Sequence, residues 1–467
     1  MEKYNGIALD TRSNKEIKKD WNAKDLVSGY IKEPVFRVIN SISSIPLYFR
    51  RDQDGSGSCF PSQTRVLMED FKYKQIKDIR IGDKVLTDKG TKHKVTHLFK
   101  RKWQGNTYNI KVKGILNEIE ATGEHPFLII EGSETKNNSI NLPTKWVEAK
   151  NIKVGDFASL PINNFSKDIT LRDYEKDPEF LWCFGLYLAE GSLDKYCVNF
   201  SLHKKETEYL ERLKKCFENY GSNVTMSLKT GSLGMQVKLQ GQDWVKIFED
   251  LGNKICDKKE INHRLLLLEP KLQMNIVDGY FDGDGYLKND NRHIFVGTSK
   301  VLMEQIQFIL RRNGIHSFLN TRKKLEERKQ VYVLEYSNDS RFSFYRDGYL
   351  FVRIDSVKNN KSYSGGHVYN IEVETENTYQ VEGVAVHNCV AQSLAKLIEI
   401  ILLKKRGIHF KFSATPIYQK RSNKPEAGMI GQNAMDIVVK FFTCLEDMVK
   451  SENMNDSMMD SLPVYVN

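Results

Sequence analysis

The sequence is poor in paired cysteines. Its seven cysteines, Cys59, Cys183, Cys197, Cys216, Cys256, Cys389 and Cys444, form no CxxC pair. That argues against a thiolate zinc site and against a dense disulfide framework. Such usage fits a reducing, cytoplasmic setting. Long apolar runs are also missing: nothing approaches the ~20 residues of a membrane span. "RLLLLEP" (264–270) and "LIEIILL" (397–403) have the length of buried helices instead. Residues 1–20, "MEKYNGIALDTRSNKEIKKD", hold no apolar core of a signal peptide.

What is present is ordinary for a soluble chain: 467 residues, 40% apolar and 28% charged. At roughly 100–200 residues per domain this length accommodates two to four domains. The net charge of +10 points weakly towards nucleic acid or another anionic partner.

Texture changes along the chain. Residues 1–58 are polar and end in "RRDQDGSGS", which reads as a linker. From Cys59 to about residue 162, short alternating runs ("TRVLM", "KVLTD", "HKVTHLF", "NTYNIKV", "HPFLII") are separated by Gly and charged turns. This predicts an all-β domain. The same texture returns in "HVYNIEVETENTYQVEGVAVHN", within 346–388. One sheet domain interrupted by residues 163–345 is the expectation. The interruption carries a weak internal repeat: a small-residue helix ending at an acid, then a strand, an amphipathic helix and Gly. Leu210, Leu213 and Phe217 in one half, and Leu302, Ile306, Ile309 and Leu310 in the other, fall at helical spacing, with Gly314 as a C-terminal stop. Residues 389–467 read first as a helix ("VAQSLAKLIEIILLKKRG") and then as loop-rich sequence.

The edges of the β-rich block carry reactive groups. The Cys59 thiolate can attack the preceding carbonyl and turn the Ser58–Cys59 amide into a thioester. A second thiol, Cys389, can take the acyl group. The Asn388 side chain can attack its own backbone carbonyl and break the chain after itself, and His387 can protonate the leaving amine. These groups suffice to excise residues 59–388 and join 1–58 to 389–467.

Here the sequence resembles an intein with a Hint domain. "CFPSQTRVLMEDFKYKQIKDIRIGDKVLT", "GILNEIEATGEHPFLI" and "VYNIEVETENTYQVEGVAVHNC" are similar to its splicing blocks, in order. The resemblance implies a β horseshoe in which His125 polarises the Ser58–Cys59 bond and Thr122 hydrogen-bonds nearby. Two positions depart from the pattern: Asn370 stands where Asp is frequent, and Asn377 where His is frequent.

"FGLYLAEG" and "VDGYFDGDG" place small residues four apart (Gly185 and Ala189; Gly279 and Gly283), so two helices can approach closely. Each then delivers an acid before a glycine, Glu190 and Asp284, and a divalent cation would offset their repulsion. These stretches are similar to those of LAGLIDADG (dodecapeptide, DOD-type) homing endonucleases. That resemblance implies an α+β domain of two pseudo-symmetric αββαββα halves, Mg2+ as cofactor on Glu190 and Asp284, and double-stranded DNA, the intein-less host allele, as partner. It also makes Lys259 a catalytic candidate, against a solvated surface lysine. Leu188 replaces an acid that Asp282 keeps. Candidate phosphate contacts are Lys204, Lys205, Lys229, Lys238, Arg311, Arg312, Arg322, Lys323 and Lys324. Arg311 and Arg312, on a helix, are expected to be solvated.

Joined, the flanks read "RRDQDGSGS-CVAQSLAKLIEI", which resembles the active-site helix of papain-like cysteine peptidases, with Cys389 as nucleophile at a helix N-terminus and Gln53 at the oxyanion hole. Ser56 replaces a disulfide cysteine. The chain ends at Asn467, short of the ~130 residues that precede the partner His and Asn, and His409 lies too close. The flanks therefore read as an incomplete host. The expectation is a self-splicing monomer with endonuclease activity, cytoplasmic in a microbial or viral host cell. The alternative is a Hint module that cleaves itself without ligation and whose endonuclease only binds DNA.

Overall fold

The computed structural model describes residues 58–388 except 133–138, 163–170, 229–232, 290, 323–328, 338–340, 362 and 364. The strands before the insertion are β1 (Phe60–Pro61), β2 (Arg65–Leu67), β3 (Tyr73–Gln75), β4 (Lys84–Leu86), β5 (Lys92–Lys102), β6 (Thr107–Val112), β7 (Ile119–Thr122), β8 (Pro126–Ile130), β9 (Thr144–Glu148) and β10 (Phe157–Pro161).

The insertion begins with helix α1 (Pro178–Glu190), entered through the Asp177 cap, whose carboxylate accepts from the Glu179 N–H, and through Pro178 at the first helical position. Then follow β11 (Gly191–Leu193), β12 (Cys197–His203), α2 (Thr207–Glu218), β13 (Val224–Leu228), β14 (Gly234–Gln240) and α3 (Gln242–Gly252). The second half runs α4 (Pro270–Asp284), β15 (Gly285–Leu287), β16 (His293–Gly297), α5 (Lys300–Arg312), β17 (Ser317–Thr321) and β18 (Tyr332–Tyr336). After it come β19 (Ser343–Arg346), β20 (Tyr349–Asn360), β21 (His367–Val373), β22 (Thr378–Val381) and β23 (Val384–His387).

The two ends of the chain build one set of sheets. β21 inserts between β1 and β5, and β22 and β23 lie between β2 and β8. β20 joins β10 to β6. Their alternating apolar positions close a core that includes Phe60, Val66, Phe127, Tyr379, Val384 and Val386. The insertion has its own two four-stranded sheets, ordered β11-β12-β14-β13 and β15-β16-β18-β17, so the repeat seen in the sequence is a repeat of topology. The helical apolar stripes are buried as spaced: Leu210, Leu213 and Phe217 on α2; Leu302, Ile306, Ile309 and Leu310 on α5. Gly314 takes a positive φ of 72° just past α5.

The second half departs from αββαββα. Among the described residues it ends at β18, and β19 already belongs to the large sheet. β19 also straddles the boundary expected after residue 345.

Candidate functional site

The Ser58–Cys59 peptide lies buried where β1 leaves the chain's N-terminal flank. Thr122, the last residue of β7, grips it from one side. The Cys59 N–H donates to Thr122 Oγ1 at 2.8 Å. The Cys59 carbonyl accepts from the Thr122 N–H at 2.9 Å and from its hydroxyl at 3.1 Å. From β21, the Asn370 side-chain Nδ2 donates to the Ser58 carbonyl oxygen at 2.8 Å. The amide cannot flip away: its Oδ1 accepts from the Tyr379 hydroxyl at 2.7 Å and from the Ile371 N–H at 2.8 Å. A donor therefore points at the carbonyl that a Cys59 thiolate would attack, where negative charge would develop. Ser58 is fixed in turn by its hydroxyl, which donates to the Glu124 carbonyl at 3.2 Å.

His125 sits between β7 and β8 with no solvent exposure, its ring 4.0 Å from that of Phe60. Neither ring nitrogen has a hydrogen-bond partner among the described residues. Burial pushes its pKa down to about 3; the nearby His387 adds to the shift and the Ser58 backbone opposes it. The imidazole is therefore neutral near pH 7.

The second junction ends β23. His387 Nδ1 lies 2.7 Å from the Asn388 carbonyl oxygen. A carbonyl can only accept, so Nδ1 carries the proton. Burial lowers the His387 pKa, against the Asn388 contact and the charge of Asp88. The indole of Trp146 packs edge-on against its ring at 5.1 Å. Asn388 is held by Asn377, whose carbonyl accepts from the Asn388 N–H at 2.9 Å and whose Oδ1 accepts from Asn388 Nδ2 at 3.4 Å. Val386 pairs with Phe127, two residues from His125, so His125 and Asn388 lie at the same end of this strand pair. Cys389 and Gln53, with the rest of the peptidase-like flanks, lie outside the described residues, as do Lys229, Lys323 and Lys324.

A second constellation ends the two central helices of the insertion. Their backbones touch: a Cβ on Gly185 would lie 2.1 Å from the Ile276 carbonyl oxygen, and one on Gly279 2.0 Å from that of Trp182. A Cβ on Gly283 would meet the Ala189 Cβ at 2.5 Å and the Glu190 Cγ at 3.3 Å. This contact carries Glu190 and Asp284 to the same end of the helix pair. Burial raises the Asp284 pKa, with Lys259 opposing. Asp282 is used elsewhere, accepting from Trp182 Nε1 at 2.8 Å and the Tyr209 hydroxyl at 3.1 Å.

Lys259 is not a solvated surface lysine. It is 3% exposed, and its ammonium donates to the carbonyls of Tyr187 (2.7 Å), Leu188 (3.2 Å) and Gly191 (2.7 Å) at the end of α1. Burial pushes its pKa down to about 8, opposed by Cys256, Asp284 and Glu190. A cation at a helix C-terminus satisfies carbonyls that the helix leaves open.

The expectation for Arg311 and Arg312 is overturned more completely, since both are buried. Arg312 donates to the carbonyls of Leu266 and Leu268 and to Gln273 Oε1. Arg311 donates to the Gly383 carbonyl. Their stems lie on the packed face of α5, and backbone carbonyls compensate the charges. Lys204, Lys205 and Arg322 are exposed. Lys238 faces away from the helices, opposite Asn199 and Thr225 on the neighbouring strands. Counted from the glycine that follows each central helix, the corresponding positions of the second sheet hold Ile294, Glu335 and Phe318, so the two outer faces differ in chemistry.

A metal could engage Glu190 and Asp284 alone among these groups; no cluster of three or more His, Cys, Asp or Glu side chains suited to a metal occurs among the described residues. Two carboxylates fit an ion such as Mg2+, which is commonly bound by one or two of them, with water and phosphate oxygens completing its shell.

Comparison with known proteins adds a family. The intein splicing domain matches residues 64–388. An uncharacterized protein of Methanocaldococcus jannaschii is 26% identical over 403 residues, covering 72% of this chain and 51% of that protein. An iron–sulfur cluster assembly SufBD family protein of Mycobacterium tuberculosis is 25% identical over 366 residues, 71% of this chain and 43% of the relative. The chain thus spans about half, or less, of these relatives' lengths. Among solved structures, a variant of the homing endonuclease I-DmoI covers 36% of this chain and 93% of its own at 14% identity and TM-score 0.29. A mutant Ssp DnaB mini-intein covers 71% and 98% at 9% identity and TM-score 0.26. Neither structural likeness is close enough to assign an activity.

Proposed function

Because the chain belongs to the intein splicing-domain family, we propose that residues 59–388 excise themselves and ligate residues 1–58 to 389–467. One observation carries the reading: both carbonyl oxygens at the bonds to be broken accept a side-chain hydrogen bond, Ser58 from Asn370 and Asn388 from His387. Cys59 Sγ attacks the Ser58 carbonyl carbon while Asn370 Nδ2 stabilises the oxyanion. The C–N bond then breaks, the Cys59 nitrogen takes a proton, and a thioester remains. The Cys389 thiol displaces Cys59 from it. Asn388 Nδ2 next attacks its own carbonyl carbon, polarised by His387, and the bond to Cys389 breaks, leaving a succinimide. The freed Cys389 amine finally takes the acyl group from its own sulfur.

The experiment is a time course of purified precursor under reducing conditions, read by intact mass. A ligated 1–58/389–467 product supports splicing. Separate flanks without it favour a self-cleaving Hint module, which needs no acceptor at Cys389. Intact precursor throughout contradicts both.

The inserted α+β domain is proposed to be a LAGLIDADG-type double-strand endonuclease. Glu190 and Asp284 would hold the divalent cation, which when bound activates water and stabilises charge on a phosphodiester. Lys259 would hold the end of α1, and so Glu190, in place. The first sheet's outer face, where Lys238 and Thr225 are cross-strand neighbours, suits a DNA groove. Double-strand cutting of DNA carrying the uninterrupted host sequence, dependent on Mg2+, tests this; binding without cutting favours a decayed enzyme. A monomer, a cytoplasmic setting and a papain-like host complete the proposal.

A further inference from the structure

The β22–β23 hairpin reaches both junctions. β22 carries Tyr379, which orients Asn370 at the Ser58 carbonyl, and β23 ends in His387 beside Asn388. Its turn, Glu382–Gly383, has positive φ at both residues, 49° and 82°. Positive φ at both positions is the geometry that two-residue hairpin turns favour, free to Gly383 and mildly costly to Glu382, so what outside contacts hold is the turn's place in the fold.

Part of that hold comes from the splicing domain. The Glu382 N–H donates to the Arg65 carbonyl, the Arg65 guanidinium donates to the Glu382 carboxylate through Nε at 2.8 Å and Nη2 at 2.5 Å, and Asn117 adds a bond at 3.1 Å. The rest comes from α5 of the insertion. Arg311 Nη1 donates to the Gly383 carbonyl at 3.3 Å, and a Cβ on Gly383 would lie 2.4 Å from that nitrogen. Glu304, about two turns earlier on the same face of α5, pairs with Arg65 at 2.9 Å. The junction between domains extends around this contact: Phe308 packs on Phe71 at 4.7 Å between ring centres, and Gln307 donates to the Gly114 carbonyl at 2.9 Å.

We infer that the inserted domain is a structural partner in splicing, with Arg311 as a positioning residue that holds the β22–β23 turn, and through it His387 and Asn388, in register. The inference rests on the splicing reading above. The two junctions do not depend on the hairpin equally. The Ser58–Cys59 bond is also gripped by Thr122 and by β21, whereas Asn388 is held by β23 and by Asn377, at the foot of the same hairpin. Loosening the turn therefore disturbs the second junction more.

The test separates the two steps in the full-length chain. Asn388 cyclisation is followed as C-terminal cleavage in a Cys59→Ala background, and thioester formation as thiol-induced cleavage in an Asn388→Ala background. Arg311→Met is expected to slow the first on the order of tenfold while changing the second less than about threefold, as a displacement remote from the chemistry would. Arg311→Lys should recover part of the loss. If Arg311→Met fails to fold, Glu304→Gln is read the same way. An unchanged rate of C-terminal cleavage, or equal slowing of both steps without rescue by lysine, overturns the inference. Failure of both steps in the otherwise unaltered chain overturns the splicing reading instead.

Discussion

Asn370 Nδ2 meets the Ser58 carbonyl oxygen at 2.8 Å because Tyr379 and the Ile371 N–H together fix the other end of the amide. The arrangement presents a donor with no reorganisation left to make. Removing it in Asn370→Ala should slow thioester formation about 10²–10³-fold, the range for a single oxyanion donor. Tyr379→Phe, which only frees the amide to turn, should cost less. Thiol-induced N-terminal cleavage in an Asn388→Ala background measures both; equal rates in all three proteins would remove Asn370 from the mechanism.

Acid should loosen the fold through its buried imidazoles. His125 binds a proton at an ordinary 6.5 when unfolded but only near pH 3 when folded. Between those values the unfolded chain holds the extra proton, so stability falls as pH falls from 6.5 towards 3 and is fully present above 6.5. His387 shifts in the same direction. Thermal unfolding of the Cys59→Ala/Asn388→Ala precursor should show this slope, on the order of a few kcal/mol in total. His125→Gln should flatten it.

The helix pair in the insertion tolerates no side chain at its crossing. Gly185→Ala would drive a methyl to 2.1 Å from the Ile276 carbonyl oxygen, and Gly279→Ala to 2.0 Å from that of Trp182. Each should destabilise the protein by about 1–3 kcal/mol or more through overpacking. Gly221→Ala serves as a contrast, since a Cβ there meets nothing within 4 Å and only its φ of 69° opposes it. Denaturant titration would rank the three.

Glu190→Gln and Asp284→Asn should abolish Mg2+-dependent DNA cleavage and leave DNA binding largely intact, since neither removes a basic contact. Lys259→Met should instead lower stability by about 1–3 kcal/mol, because three carbonyls at the end of α1 lose their donor. Gel-shift, cleavage and melting assays on the three variants distinguish the roles.

The sequence shows its β runs, its repeat and the two small-residue helices plainly, because each rests on local periodicity or on glycine spacing. Leu210, Leu213 and Phe217 are buried as their spacing predicts. Arg311 and Arg312 are the opposite case. Charge and helical position suggest solvent, and only the tertiary fold supplies the carbonyls of Gly383, Leu266 and Leu268 that compensate them. Asn370 stands out in the sequence as a departure from a pattern, but its role becomes readable only with Tyr379, nine residues on and across the core. That no third helix follows β18 among the described residues has no local signal either, since the chain returns to the large sheet at β19.

The most direct test is the intact mass of products from purified precursor under reducing conditions. The account predicts an excised 59–388 fragment together with residues 1–58 joined to 389–467 through a peptide bond, both lost in Cys59→Ala. Excised fragment with the two flanks always separate, or precursor that never changes mass, would contradict it.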